Sequence, residues 1–146
     1  MARMNVGEVS TKSAARHSRV RRQHSDELAE DYVEAIAELL EGFGAARVTD
    51  LKEIFGVSHV SVIRALQRIE ERGLIRRLGR SGWELTESGK GMAEESGRRH
   101  DLVVRFLKAI GVPSAKAQAD AEGMEHHLSA ETLRAFEDFL SGKVDQ

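Results

Sequence analysis

From Leu28 onward, apolar residues recur at helical intervals. Leu28, Tyr32, Ile36, Leu39, Leu40 and Phe43 follow Ser25, a residue suited to capping a helix, until Gly42 and Gly44 interrupt the run. The stretch from Val48 to Gly73 reads as two short helices around a tight turn at Gly56. Leu51, Ile54 and Phe55 precede that turn, Val57, Val62, Leu66 and Ile69 follow it, and Ser58 can cap the second helix. Between Leu74 and Leu85 the pattern becomes two short strands around a turn containing Gly79 and Gly82. Thr86 then caps a long helix running through Met92, Leu102, Val103, Phe106, Leu107 and Ile110, closed by Gly111 and Pro113. Its first half is weakened by Gly89, Gly91 and Gly97. Ser114 opens a helix reaching about His127, and Ser129 caps a last one carrying Leu133, Phe136, Phe139 and Leu140.

The expected fold is therefore mainly α with a small β-wing. A winged helix-turn-helix occupies residues 25–86, and an all-helical unit follows at 87–146. Composition agrees, since Ala, Leu, Glu and Arg abound while aromatic residues make up 5% and Pro occurs once. With 146 residues and 40% hydrophobic content, the chain can bury one full core and a small second one. Residues 1–24 read as a disordered basic arm, with Arg3, Lys12, Arg16, Arg19, Arg21 and Arg22 against Glu8 alone. The net charge of -2 hides this local basicity. Without cysteine there is neither a disulfide nor a thiolate metal site. No apolar run is long enough to span a bilayer or serve as a signal sequence, so a cytoplasmic location is expected.

The helix after Gly56 has the layout of a DNA-reading helix. Val62, Leu66 and Ile69 supply its packing face, leaving Ser58, His59, Ser61, Arg64 and Arg68 exposed, with no carboxylate from Ser58 to Ile69. Taken singly, these are ordinary solvated side chains. The glycine turn before them and the hairpin arginines Arg77 and Arg80 after them supply the order of elements that groove docking requires, which points to double-stranded DNA as partner.

A second constellation is acidic. Glu27, Asp31, Glu34 and Glu38 stack into one stripe of the first helix, where each like-charge pair costs an isolated helix about 0.2–0.5 kcal/mol. Such a stripe is equally a solvated face. Glu122, Glu125 and His126, at i, i+3 and i+4, share a face of a later helix in metal-ligand spacing, and His100 lies on the helix before it. Gly123 inside that helix suggests a close backbone approach, while His127 points elsewhere.

The runs Asp31-Tyr-Val-Glu34, Arg99-His100-Asp101 and Asp120-Ala-Glu-Gly-Met-Glu-His-His127 closely resemble the manganese transport regulators, a branch of the diphtheria toxin repressor family, over about residues 25–140. The resemblance implies that Asp31, Glu34, His100, Glu122, Glu125 and His126 hold two Mn²⁺ ions. It further implies that residues 87–146 form a dimerisation and metal-binding domain, and that the metal-loaded homodimer represses metal-transport promoters. Iron-sensing relatives place sulfur ligands at two of these positions, whereas Asp31 and Glu125 are hard oxygen donors suited to Mn²⁺, with Fe²⁺ or Zn²⁺ as possible occupants in vitro. Ser58-His-Val-Ser61 departs from the family pattern in lacking a proline near the start of the reading helix. The barrel-like C-terminal domain of the iron-sensing branch is not expected in a chain ending soon after Leu140.

Three other readings compete. One is an iron-responsive regulator of the same family, and another is a metal-independent winged-helix regulator whose acidic stripe pairs with the basic arm. The third, a metallohydrolase, finds no support, because the sequence has no phosphate loop, nucleophile elbow or His-Glu-x-x-His motif. A non-enzymatic regulator is expected.

Overall fold

The computed structural model describes residues 6–80 and 82–143. Its first helix, α1 (Val6–Phe43), begins far upstream of Ser25. Residues 6–24, expected from the sequence as a disordered basic arm, are described as the upstream part of this helix, while residues 1–5 lie outside the described residues. Ser25 does not cap, because the backbone is already helical when it arrives there. No Pro or Gly interrupts the chain between Glu8 and Glu41, and residues such as Ala14, Ala15, Arg16 and Arg19 favour propagation once the anchored part of the helix supplies a nucleus.

That anchored part is the buried ridge of Ala29, Tyr32, Val33, Ile36 and Leu39. It packs on α2 (Val48–Phe55) and α3 (His59–Glu71), with the rings of Tyr32 and Phe55 stacked at 4.3 Å. The turn between α2 and α3 is made by Gly56, whose left-handed φ of 61° ends α2 and whose N–H donates to the Lys52 carbonyl at 3.0 Å. Ser58 caps α3 by accepting from the Ser61 N–H. Val62, Leu66 and Ile69 of α3 are buried, as their spacing predicts.

Strands β1 (Ile75–Leu78) and β2 (Gly82–Leu85) form the antiparallel wing, with Ile75 opposite Leu85 and Leu78 opposite Gly82. The Trp83 N–H donates to the Ala46 carbonyl at 3.1 Å, which ties the wing to the segment before α2. Helix α4 (Glu87–Ala109) starts at Thr86, whose hydroxyl accepts from the Gly89 N–H at 3.2 Å and donates to the Gly73 carbonyl at 2.6 Å. Gly89 is a fitted position rather than a weakness, since an added Cβ would lie 2.0 Å from the Leu74 carbonyl oxygen.

Beyond α4 come α5 (Ser114–Met124), one 3-10 turn (Glu125–His127) and α6 (Ala130–Leu140). A second core gathers Val103, Val104, Leu107, Ala117 and Ala121, against which Phe106 and Phe136 stack at 3.8 Å. Gly123 has nothing within 4 Å of an added Cβ, so the expected close backbone approach there is not found. No residue of α6 is buried, and Phe139 remains 45% exposed. Among the described residues, no helix is long and apolar enough to cross a membrane.

Candidate metal centre and nucleic-acid interface

The acidic stripe of α1 faces the 3-10 turn and the middle of α4. Two groups of donor atoms result, each with its ligand atoms within 4.8 Å of one another: Glu27, Asp31 and His126, and His100, Glu122 and Glu125. Glu125 lies between them, 1% exposed, with Oε2 at 2.7 Å from His100 Nδ1 and Oε1 at 3.5 Å from His126 Nε2. The 3-10 turn produces this arrangement by tightening the chain after Met124, so that Glu125 and His126 point inward together.

Each imidazole is held by the nitrogen that faces away from its group. His126 Nδ1 donates to Glu30 Oε2 at 2.7 Å, and Glu30 is itself gripped by Arg99 Nη2 at 2.6 Å. His126 Nε2 is left facing Asp31 Oδ1 at 3.2 Å. His100 Nε2 donates to Gln118 Oε1 at 2.9 Å, which leaves Nδ1 toward Glu125 and, at 3.8 Å, toward Glu122. Fixing the tautomer through the far nitrogen is how metal-binding histidines are commonly oriented. Two aimed imidazole nitrogens among clustered carboxylate oxygens, with no thiolate, form a donor set that fits a hard to borderline divalent cation such as Mn²⁺.

The protonation of these groups reflects the crowding. Burial pushes Asp31 up to about 6 and Glu125 up to about 7, with neighbouring carboxylates adding to the rise and the imidazoles opposing it. Burial works against the charged form of His100, yet its hydrogen bonds to Gln118 and Glu125 carry it above its ordinary value. His126 is raised in the same way through Glu30 and Asp31, again against burial. The site thus retains protons that a cation of higher charge could replace.

Of the six residues singled out from the sequence, five fall in the two groups. Glu34 is in neither, accepting a hydrogen bond from the buried Ser96 hydroxyl while remaining close enough to raise both Asp31 and Glu125. His127 does not point away, since its Nε2 lies 3.4 Å from Glu27 Oε2. Sequence reasoning missed Glu30, Arg99 and Gln118 as supports, because they bear on the site through partners 96, 69 and 18 positions away. It had placed Glu27 in the stripe but not among the donors.

In the winged part, His59, Ser61, Arg64 and Arg68 are exposed along α3. Ser58 and Ser61 spend hydroxyl capacity on each other at 3.0 Å. Arg77 lies over the Trp83 ring at 5.1 Å, and Arg80 sits at the wing turn. Both line a cleft of about 460 Å³ together with Arg47, a third arginine that precedes α2 and escaped notice in its loop. Arg76 is occupied by Glu84 at 2.5 Å.

Residues 86–143 match the model of the iron dependent repressor metal binding and dimerisation domain, and residues 33–93 match the ribonuclease R winged-helix domain. The transcriptional regulators MntR of Escherichia coli O6:H1 and Salmonella typhimurium are 45% and 44% identical to this chain over 117 residues. That is 80% of this chain and 76% and 74% of theirs. A solved manganese-dependent transcriptional repressor in complex with manganese superposes with a TM-score of 0.68 at 28% identity, and IdeR of T. acidophilum with 0.66 at 25%. Each comparison covers 77% of this chain, which spans about half the length of those two proteins (52% and 53%).

Proposed function

Because the chain belongs to the MntR family of transcriptional regulators, we propose that it is a manganese-responsive, non-enzymatic repressor that binds promoter DNA of metal-transport genes as a homodimer. The observation that carries this reading is the convergence of Glu27, Asp31, Glu122, Glu125, His100 and His126 between α1 and the α4–α5 unit. Asp31, Glu34, His100, Glu122, Glu125 and His126 are the ligands we assign to two Mn²⁺ ions, with Glu125 offering one oxygen to each group and Glu27 as an additional donor. Bound Mn²⁺ supplies the positive charge that allows these carboxylates to be ionised together at close quarters.

The chain's own residues perform the rest. Glu30 and Gln118 aim the two imidazoles, and Ser96 holds Glu34. Asp31, next to the buried Tyr32, belongs to a helix that forms part of the winged core. Glu122, Glu125 and His126 belong to the segment packed on α4. Drawing the two sets together fixes how the winged part sits against the helical part, which selects wing separations suited to successive major grooves from a broader ensemble. The partly exposed α6, with Phe139 edge-on to Phe106 at 5.5 Å, is the surface we assign to the dimer. Ser58, His59, Ser61, Arg64 and Arg68 of α3 and its cap, with Arg77 and Arg80 of the wing, are the residues we assign to operator DNA. The working units are then residues 25–86 and 87–146, in a cytoplasmic protein.

A mobility-shift titration on the chain's own promoter and on neighbouring transporter promoters, with Mn²⁺, Fe²⁺, Zn²⁺ or a chelator, tests the reading. Binding that rises with Mn²⁺ and collapses on chelation supports it. Equal affinity with and without metal refutes it.

A further inference from the structure

The upstream half of α1 is used by neither the metal centre nor the winged core, although it carries a strong single-sign charge. Arg16, Arg19, Arg21 and Arg22 are all exposed, and no carboxylate occurs between Val9 and Ser25. An exposed helix with like charges at this spacing is marginal by itself. Polyanionic surroundings would remove the repulsion.

The helix is also not remote from the reading helix. Arg21, His24, Ser25 and Leu28 of α1 face Ala65, Arg68 and Ile69 of α3 and Arg72 just after it across a cleft of about 370 Å³. Arg72 is committed to Asp26 at 3.1 Å, which braces the two walls. Arg21 and Arg68 have no ion-pair partner among the described residues. The cleft is lined by apolar Leu28, Ala29, Ala65 and Ile69 together with cationic Arg21, Arg68 and Arg72, and it shares Arg68 with the exposed face of α3.

We propose that this cleft holds the sugar-phosphate backbone of the DNA engaged by α3, with Arg21 as the α1 side chain that reaches a phosphate. The proposal rests on the DNA-binding reading above and adds a contact from outside the winged fold. Arg21 is the sharp element of it. At 100° per residue, Arg19 lies about 160° around the helix from Arg21, across a helix about 10 Å wide. Such a distance exceeds the Debye length of about 8 Å at physiological salt, so Arg19 contributes little in the cleft.

The test is fluorescence anisotropy of the Mn²⁺-loaded full chain on a random-sequence DNA duplex and on its own promoter fragment, across a salt series. Each phosphate contact contributes about 0.9 to the slope of log K against log salt. Arg21→Gln is expected to lower that slope by about 0.9 on both DNAs and to weaken both by the same factor, because a phosphate contact carries no sequence information. Arg21→Lys should retain the slope, and Arg19→Gln should leave it unchanged. An unchanged slope in Arg21→Gln, an equal loss in Arg19→Gln, or a loss in Arg21→Lys overturns the cleft assignment while leaving DNA binding intact. A shift in sedimentation with no change in slope assigns the extension to a second copy of the chain and overturns it too. Wild-type chain that binds neither DNA refutes the DNA-binding reading as well.

Discussion

Replacing Glu30 by Ala tests whether the two donor groups are separately supported. Glu30 accepts from His126 Nδ1 at 2.7 Å and from Arg99 at 2.6 Å while only 14% of its side chain is exposed, so its removal leaves two partly buried donors without their acceptor. The His126 ring is then free to rotate or to change tautomer, and Arg99 is left as a poorly solvated charge near the place where a cation must bind. Loss of such a supporting partner typically lowers metal affinity about 10–100-fold, which is about 1.4–2.7 kcal/mol of binding free energy. The loss should be confined to the group containing Asp31 and His126, because His100 is held independently by Gln118 at 2.9 Å. Isothermal titration with Mn²⁺, followed by electron paramagnetic resonance of free Mn²⁺, should therefore resolve one weakened and one nearly unchanged site. Glu30→Gln keeps an acceptor for the imidazole and should recover much of the affinity. Unaltered binding in Glu30→Ala, or equal weakening of both sites, would refute the reasoning.

Asp31 at about 6 and Glu125 at about 7 lie above their ordinary values of 3.8 and 4.5. The folded metal-free chain therefore binds more protons than the unfolded one, and these groups destabilise it progressively as pH rises from about 4 to about 7. The raised imidazoles of His100 and His126 act in the same direction, their contribution being lost as pH climbs through their folded values. Mn²⁺ competes for the same positions, so its affinity should increase over this window with measurable proton release. A melting series in chelator for wild type and Glu125→Gln should show the wild type losing ground relative to the variant as pH rises, and a constant difference would contradict the assignment. At the start of α4, Gly89→Ala forces a Cβ against the Leu74 carbonyl and should cost about 1–3 kcal/mol in denaturant unfolding. Gly91→Ala, with open space at its Cβ, should stabilise by up to about 1 kcal/mol, and similar effects for the two would show that the clash is relieved.

Periodicity gave the order of the elements and the donor types, but neither the start of α1 nor the 3-10 turn after α5. The burial of Val62, Leu66 and Ile69 follows from spacing, because a helix that must cover a core repeats its apolar side chains at about 3.6 residues. The helical repeat puts Asp31 and Glu34 on one face of α1, whereas Glu122, Glu125 and His126, expected on one helix, are divided between α5 and the 3-10 turn that follows it. Local spacing failed where a decision depends on a remote partner. Ser25 has the chemistry of a cap, yet the chain is already helical there, since nothing upstream breaks α1. Gly89 and Gly123 look alike in sequence, but only Gly89 meets another backbone.

What the sequence by itself determined is the inventory: a glycine turn and basic wing for one unit, and hard oxygen and imidazole donors without sulfur for the other. Tertiary structure alone decided the pairing. It placed Glu125 between two imidazoles, brought Glu30 to His126 across 96 positions, joined Glu27 to the donors and turned Glu34 toward Ser96. Hydrogen bonds and Coulomb interactions fall off over a few ångströms, and separation along the chain says little about separation in space. Which nitrogen of each histidine faces the clustered carboxylates was therefore written only in the packing of α1, α5 and the 3-10 turn against α4.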